Sequence, residues 1–466
     1  LKNVLKIKEL HTNESAFDIF KKIFNVYDTV FILESLTGPK ELSEYSIIGF
    51  DPVMRVECDF RKFRATNREG FLVRESIVND PIQQLRRMMP HINNHKYRFI
   101  GGAVGYVSYD ALRLWEPLST KRKKIGTQFP IFAFGIYTDG LLFDKKHQKT
   151  YYFYVGNDSR IREIELLLNN KENLPQKNIS FSIARSEMDR HEFIKKVEKA
   201  RHKIYDGDIF QVVISRRFSF KLTGDPLLIY GKLRDLNPSP YMYFLKHQNS
   251  FIIGSSPEML LRSNSRNVET FPIAGTRAVA KDARLTKRLR NDLLSDEKEI
   301  SEHTMLVDLA RNDLGRVCKY GTVKTKKLMI VKRFSHVQHI VSHVVGKLTA
   351  DNDCYDAFKA VFPAGTVTGA PKVRAMEIID ELELYQRGPY AGALGYFSFN
   401  KACDFAITIR SLFVMNNEAY VQAGAGIVMD SIPEKEWQET SQKAQVIFSA
   451  LNLAIQERRH SDRTAS

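Results

Sequence analysis

Apolar residues recur along the chain at two distinct spacings, helical and strand-like. Phe193, Val197, Ala200 and Ile204 stand four, three and four residues apart, which predicts an amphipathic helix from near Asp189 to Gly207. A longer helical pattern runs from about residue 288 to 317, and a third helix is opened by Pro371 and ended by Gly388. Strand-like runs occupy 209–220, 241–245, 251–254 and 268–274. Late strands are predicted at 395–399, 405–414 and 419–423, antiparallel, with Asn416-Asn417 as a hairpin turn. Residues 1–165 read as short strands mixed with helices, and glycines in 99–116 mark close strand packing. The polar stretch 169–177 is the best boundary, separating an N-terminal region of 1–170 from a catalytic region of 185–455. Strands and helices mix without βαβ alternation, so the expected class is α+β.

Composition narrows the function classes. The 466 residues are 43% hydrophobic and 27% charged, ordinary for a globular chain with a large core. No apolar run approaches the ~20 residues of a membrane span, and no signal-peptide core stands at the start. Cys58, Cys318, Cys354 and Cys403 lack any Cys-x-x-Cys spacing, which argues against a thiolate metal site and fits a reducing cytoplasm. The net charge of +16 raises nucleic-acid binding. The basic clusters at 121–124 and 284–290 are short and belong to no nucleic-acid module, so a basic surface that attracts an anionic substrate is the better account.

Candidate chemistry lies in two Glu-x-x-Glu pairs, Glu299/Glu302 and Glu436/Glu439. Three residues apart on a helix, each pair projects both carboxylates from one face. Such pairs are ordinarily solvated surface; four carboxylates converging from two helices would instead suit a hard cation such as Mg²⁺. Lys443 shares the second pair's face.

Around these pairs stand "FPIAGTRA" from Phe271, "FPAGTVTGAPKVRAMEIIDELE" from Phe362 and "QAGAGIVMDSIPEKEWQET" from Gln422. With "DEKEISEHTMLVDLARNDLGRV" from Asp296, this ordered set resembles the chorismate-utilising enzymes, most closely their anthranilate synthase component I branch, from Ile32 to about residue 450. The resemblance implies two facing antiparallel sheets with helices outside and the site in the cleft between them. It implies a Mg²⁺-dependent lyase of tryptophan biosynthesis that converts chorismate and ammonia to anthranilate and pyruvate. By the same resemblance, Glu302 and Glu439 are nearest the metal, with Glu299 and Glu436 behind them, and Lys443 neighbours the ring carboxylate. Arg410 and Tyr390 match the site of the enolpyruvyl carboxylate. Gly424, Ala425 and Gly426 match a backbone anion contact, and Gly275 and Thr276 a further substrate loop. Glu258 matches the general acid, His339 the histidine of the elimination stage, and Thr366 a residue near the ring. His336 and His343 keep the structural reading usual for a lone histidine.

Two positions separate the branches. Water-adding relatives place a lysine base where Gln211 stands, and aminodeoxychorismate synthases carry a nucleophilic lysine where Ala274 stands. Both substitutions favour anthranilate synthase, with aminodeoxychorismate synthase component I as the alternative. Ser35 of "LES" and Pro240, Tyr241 and Met242 of "NPSPYM" match a tryptophan feedback site, although Glu44 replaces the arginine usual nearby and His343 stands where some regulated members have arginine. No cysteine stands in a glutaminase-like setting, so a separate glutamine amidotransferase subunit is the expected partner, in a hetero-oligomer with no nucleic acid and no membrane.

Overall fold

Two large antiparallel sheets face each other in the computed structural model, which describes residues 4–38, 44–92, 95–118, 126–157, 159–169, 178–334 and 337–464, with side chains to Gln456. The basic run 121–124, residues 170–177 of the predicted boundary and His336 lie outside the described residues. One sheet runs from Leu5–Leu10 through Thr29–Glu34, Tyr241–His247, Ser250–Ser256, Ser411–Met415 and Glu418–Ile427 to the long strand Gln211–Thr223. The other runs from Ile273–Ala278 and Val337–Lys347 through Met259–Asn264, Cys403–Ile407, Ala393–Ser398 and Gly102–Val107 to the edge strand Leu72–Ile77. Both sheets contain strands from before residue 165 and after residue 185.

The strands read as unbroken apolar runs because their two faces enter different cores. In Thr29–Glu34, Phe31 points between the sheets, into a cluster with Phe134, Phe397 and Phe405. Its neighbours Val30 and Ile32 point outward beneath Phe20, Ile447 and Leu451 of the covering helices. The C-terminal helix Pro433–Thr464 lays Ala444, Ile447, Leu451 and Ala454 on the sheet at helical spacing.

Several expected elements are corrected. The helical stretch 288–317 is two helices, Ala283–Ser295 and Glu297–Gly315, broken where Asp296 is extended (ψ 105°) and accepts hydrogen bonds from the Lys298 and Glu299 amides. The helix opened by Pro371 ends at Leu382 rather than Gly388, because Glu383 turns extended and its carboxylate is held by Arg387 and Ser215. The run 268–274 is two strands, Asn267–Thr270 and Ile273–Ala278. The run 405–414 likewise splits into Cys403–Ile407 and Ser411–Met415, one in each sheet. Asn416 and Asn417 do form the hairpin turn, with φ of 51° and 69°.

Candidate active site

One wall of the site is a β-bulge. Ile273–Ala278 pairs with Val337–Lys347, and the register slips between Ala274 and Arg277, leaving Gly275-Thr276 bulged opposite His339. Gly275 has φ +64°, and a Cβ there would stand 2.9 Å from Leu293 and 3.0 Å from Glu299 Oε2, so only glycine fits. The bulge aims Gly275 O at His339 Nδ1 (2.8 Å), with Thr276 Oγ1 at 3.1 Å. A carbonyl only accepts, so Nδ1 carries the proton and Nε2 presents its lone pair, buried and without a protein partner among the described residues. Burial, aided by the positive charges of Arg410 and Lys443, pushes the imidazole down to about 4. It is therefore neutral at pH 7.

Arg410 occupies the crossover between the sheets with φ +50°, a left-handed backbone unusual for a residue with a side chain. Among the described residues its guanidinium makes no hydrogen bond or ion pair, and burial lowers its pKa. Nearby, Glu258 is 7% exposed. Burial pushes its carboxyl up to about 8, against the Thr366 hydroxyl, the Ile273 amide and the fields of Arg410 and Lys443. Glu258 is thus a neutral acid at pH 7. A pocket holding about 390 Å³ of atom-free space lies against Glu258 and Thr366, walled by Leu306 and Leu309.

The opposite wall is the strand Glu418–Ile427. Gly424 and Gly426 face the cleft; a Cβ at 424 would stand 2.9 Å from the Tyr390 hydroxyl, and one at 426 would stand 2.6 Å from Gln211 Nε2. Ala425 alternates with them, and its methyl packs in the core with Phe193 and Ile378, so only its backbone can serve an anion. Gln211 donates to Glu302 Oε1 (2.9 Å). Burial and the neighbouring Glu299 and Glu439 raise the Glu302 pKa. Burial and Glu439 also raise Glu436, to about 7, against its hydrogen bond with Ser431. For Glu439 the burial penalty is outweighed by Lys443, 2.7 Å away, and its pKa is lowered. Lys443 also donates to Gly424 O (2.9 Å). Glu302 thus feels both its helix neighbour Glu299 and Glu439 of the other pair.

A second pocket, with about 520 Å³ of atom-free space, is lined by Ser35, Pro240, Tyr241 and Met242 together with Arg98, Arg262 and Asp404. It shares no lining residue with the first. Glu44, in the arginine's place, pairs with Arg98 (2.6 Å). His343 pairs with Glu269 (2.8 Å) and stacks on Phe271.

Three supporting residues escape sequence reasoning. His303, beside Glu302, is fully buried and meets Ser342 Oγ at 2.6 Å, pinning the helix to the sheet; its apolar-like position on the inward stripe was the available signal. Arg387 is 1% exposed, donates to Val213 O and Val367 O, pairs with Glu383, and lies over the Tyr390 ring. Arg277 is bound by three carboxylates. Nothing in a linear pattern marks the last two: the carboxylates that bind Arg277, and the Val213 and Val367 carbonyls that accept from Arg387, are remote in sequence, and Glu383 beside Arg387 reads as an ordinary helix pair.

The chain is 43% identical to anthranilate synthase component 1 of Methanothermobacter thermautotrophicus over 455 residues, covering 96% of this chain and 94% of that protein. Its fold matches the crystal structure of anthranilate synthase component I from Streptococcus pneumoniae with TM-score 0.75 and 38% identity, covering 88% and 93% of the two chains. It also matches the menaquinone-specific isochorismate synthase of Escherichia coli with TM-score 0.73 at 19% identity, covering 96% and 95%, a likeness of fold alone. The model of the chorismate binding enzymes matches residues 29–449, and the chain belongs to that family.

Proposed function

We propose that this chain is the chorismate-converting subunit of anthranilate synthase, which aminates chorismate and then eliminates pyruvate to leave anthranilate. The observation that carries this reading is a neutral acid, Glu258, and a neutral base, His339 Nε2, in one cleft beside the Arg410 guanidinium, unpaired among the described residues. The full-length likeness to proteins named anthranilate synthase component 1 supports it.

The donor set fits Mg²⁺: oxygen atoms only, with the Glu302 and Glu436 carboxylates forced towards protonation by burial and by each other's neighbours, a repulsion a dication relieves. Among the described residues no three acidic, His or Cys side chains stand together at ligand spacing. Glu302 and Glu439 would hold it, with Glu299 and Glu436 behind them, and when bound it would supply positive charge against the substrate's ring carboxylate. Lys443, tied to Gly424 O, adds a cation on that side. The Arg410 fork and the Tyr390 hydroxyl take the enolpyruvyl carboxylate. Glycines at 424 and 426 leave room for the ring where any side chain would strike Tyr390 or Gln211.

In the first stage ammonia bonds to ring C2, the C1=C2 and C5=C6 double bonds shift to C1=C6 and C4=C5, and the C4 hydroxyl leaves as water with the proton of Glu258, which the proton shed by the new ammonium group replaces. In the second, His339 Nε2 accepts the C2 proton, the C–O bond to the enolpyruvyl group breaks, and pyruvate departs as the ring becomes aromatic. Gln211 is engaged with Glu302 and cannot activate water, and Ala274 offers no amine, so ammonia is the remaining nucleophile. The relatives' designation as component 1 supports a separate glutaminase subunit as its source, in a hetero-oligomer. Four free, buried cysteines suit a reducing cytoplasm.

His339→Met tests the two stages. Given chorismate, Mg²⁺ and ammonium, this variant should accumulate the aminated, non-aromatic intermediate, separable by chromatography. Equal loss of amination and elimination would remove His339 from the second stage.

The Ser35–Met242 pocket we assign to tryptophan, as a feedback inhibitor acting through coupling to the chorismate site. Its apolar walls and the Arg262–Asp404 pair suit an aromatic zwitterion. Ser35→Ala should weaken tryptophan inhibition about tenfold with turnover retained, a loss of one hydrogen bond to a charged group. A wild-type enzyme that neither binds nor responds to tryptophan would refute the assignment.

A further inference from the structure

We propose that Arg277 is a positioning residue for the cation site: its guanidinium fixes Glu299, and with it the first turn of the helix that carries Glu302. This inference rests on the Mg²⁺ reading above. Arg277 follows directly on the Gly275-Thr276 bulge. Its Nε meets Asp292 at 2.6 Å, Nη2 meets Asp296 at 2.8 Å, and Nη1 meets Glu299 at 3.0 Å and Thr276 O at 3.1 Å. Asp296 is also the residue that breaks the helical stretch, its other oxygen accepting from the Lys298 and Glu299 amides. One planar fork therefore grips the Glu299 side chain and the cap of its helix together.

The same fork joins the two halves of the site. Glu299 packs on the Gly275 backbone, which on its other side orients His339. Arg277 thus ties the wall that sets the histidine to the helix that sets the carboxylates, while touching no substrate position itself. Three carboxylates at fixed angles need a rigid guanidinium; an ammonium of equal charge cannot copy it. Its partner Asp292 is 62% exposed, so solvent screens that pair and leaves geometry as its main contribution. Groups that orient metal ligands commonly change metal affinity 10–100-fold when removed.

The test titrates Mg²⁺ alone into wild type, Arg277→Lys and Asp292→Asn by calorimetry, and follows thermal unfolding with and without Mg²⁺. Arg277→Lys keeps the charge and loses the fork, so its Mg²⁺ dissociation constant should rise about tenfold or more, with a smaller Mg²⁺-induced rise in Tm. Asp292→Asn removes one tether and should shift the constant in the same direction by less. At saturating Mg²⁺ the kcat of either variant should fall less than its Mg²⁺ affinity. If Arg277→Lys binds Mg²⁺ as wild type does, the inference fails and the cation site stands. If Arg277→Lys does not fold, unchanged affinity in Asp292→Asn overturns it equally. A wild type that binds no Mg²⁺ at millimolar concentration overturns both this inference and the reading beneath it.

Discussion

Glu302→Gln is expected to lower turnover at least about a hundredfold without weakening the fold. A bound metal supplies several kcal/mol of transition-state stabilisation, and each 1.36 kcal/mol is a factor of ten. Glutamine keeps the shape and one carbonyl oxygen but removes the charge that the cation needs. The stability effect should have the opposite sign. Burial, Glu299 and Glu439 raise the Glu302 pKa, so without metal its ionised form costs stability as pH rises from the unfolded carboxylate range through the folded value. Glu302→Gln should therefore unfold at or above the wild-type temperature at pH 7 without metal, and lose the Mg²⁺-induced stabilisation. Glu439→Gln should match its kinetic loss, because Glu439 faces the same field from the other helix. Near-normal activity and Mg²⁺ dependence in either variant would contradict the four-carboxylate site.

The second large effect belongs to Glu258. General acid catalysis commonly contributes 10²–10⁴-fold, and Glu258→Gln should lower kcat by roughly that factor. The pH profile distinguishes an acid from a merely structural glutamate. Glu258 is protonated below its folded pKa of about 8, so wild-type kcat should fall as pH rises through that value. His339, down at about 4, should produce no transition near pH 6.5. Glu258→Gln cannot titrate and should lose the alkaline limb. The linkage sign agrees: stability is fully present below the unfolded value of about 4.5 and declines between there and about 8, because the folded state then binds the extra proton. Glu258→Gln should flatten that decline. A profile whose alkaline limb survives in Glu258→Gln would move the acid elsewhere.

The candidate site could be placed in the sequence because its residues fall in short ordered blocks. Helical spacing alone placed each glutamate pair on one face, and the fold brings both faces into one field. The fold class was legible from the mixture of strand and helix periods without βαβ alternation. What could not be read is what depends on remote partners. The break at Asp296 looks like continuous helix in sequence; it becomes visible once the two oxygens of its carboxylate are seen to serve Arg277 and the helix cap at once. Gly424, Ala425 and Gly426 read as one block of backbone contacts, and the sequence gives no sign that strand alternation sends the Ala425 methyl into the core. The left-handed Arg410 also escaped, because the apolar residues on either side of Thr408, Arg410 and Ser411 read as one strand and hide the passage from one sheet to the other.

The branch assignment rests on Gln211 and Ala274, neither of which can supply an activated water or a covalent amine. Gln211 is already held to Glu302, and Ala274 lies in the strand beside Ile340. Product identity tests this most directly. Given chorismate, Mg²⁺ and ammonium, the wild-type chain should release fluorescent anthranilate and one equivalent of pyruvate, and with ammonium withheld it should leave chorismate unconsumed. Aminodeoxychorismate as the final product, or isochorismate or salicylate formed without ammonium, would contradict the account.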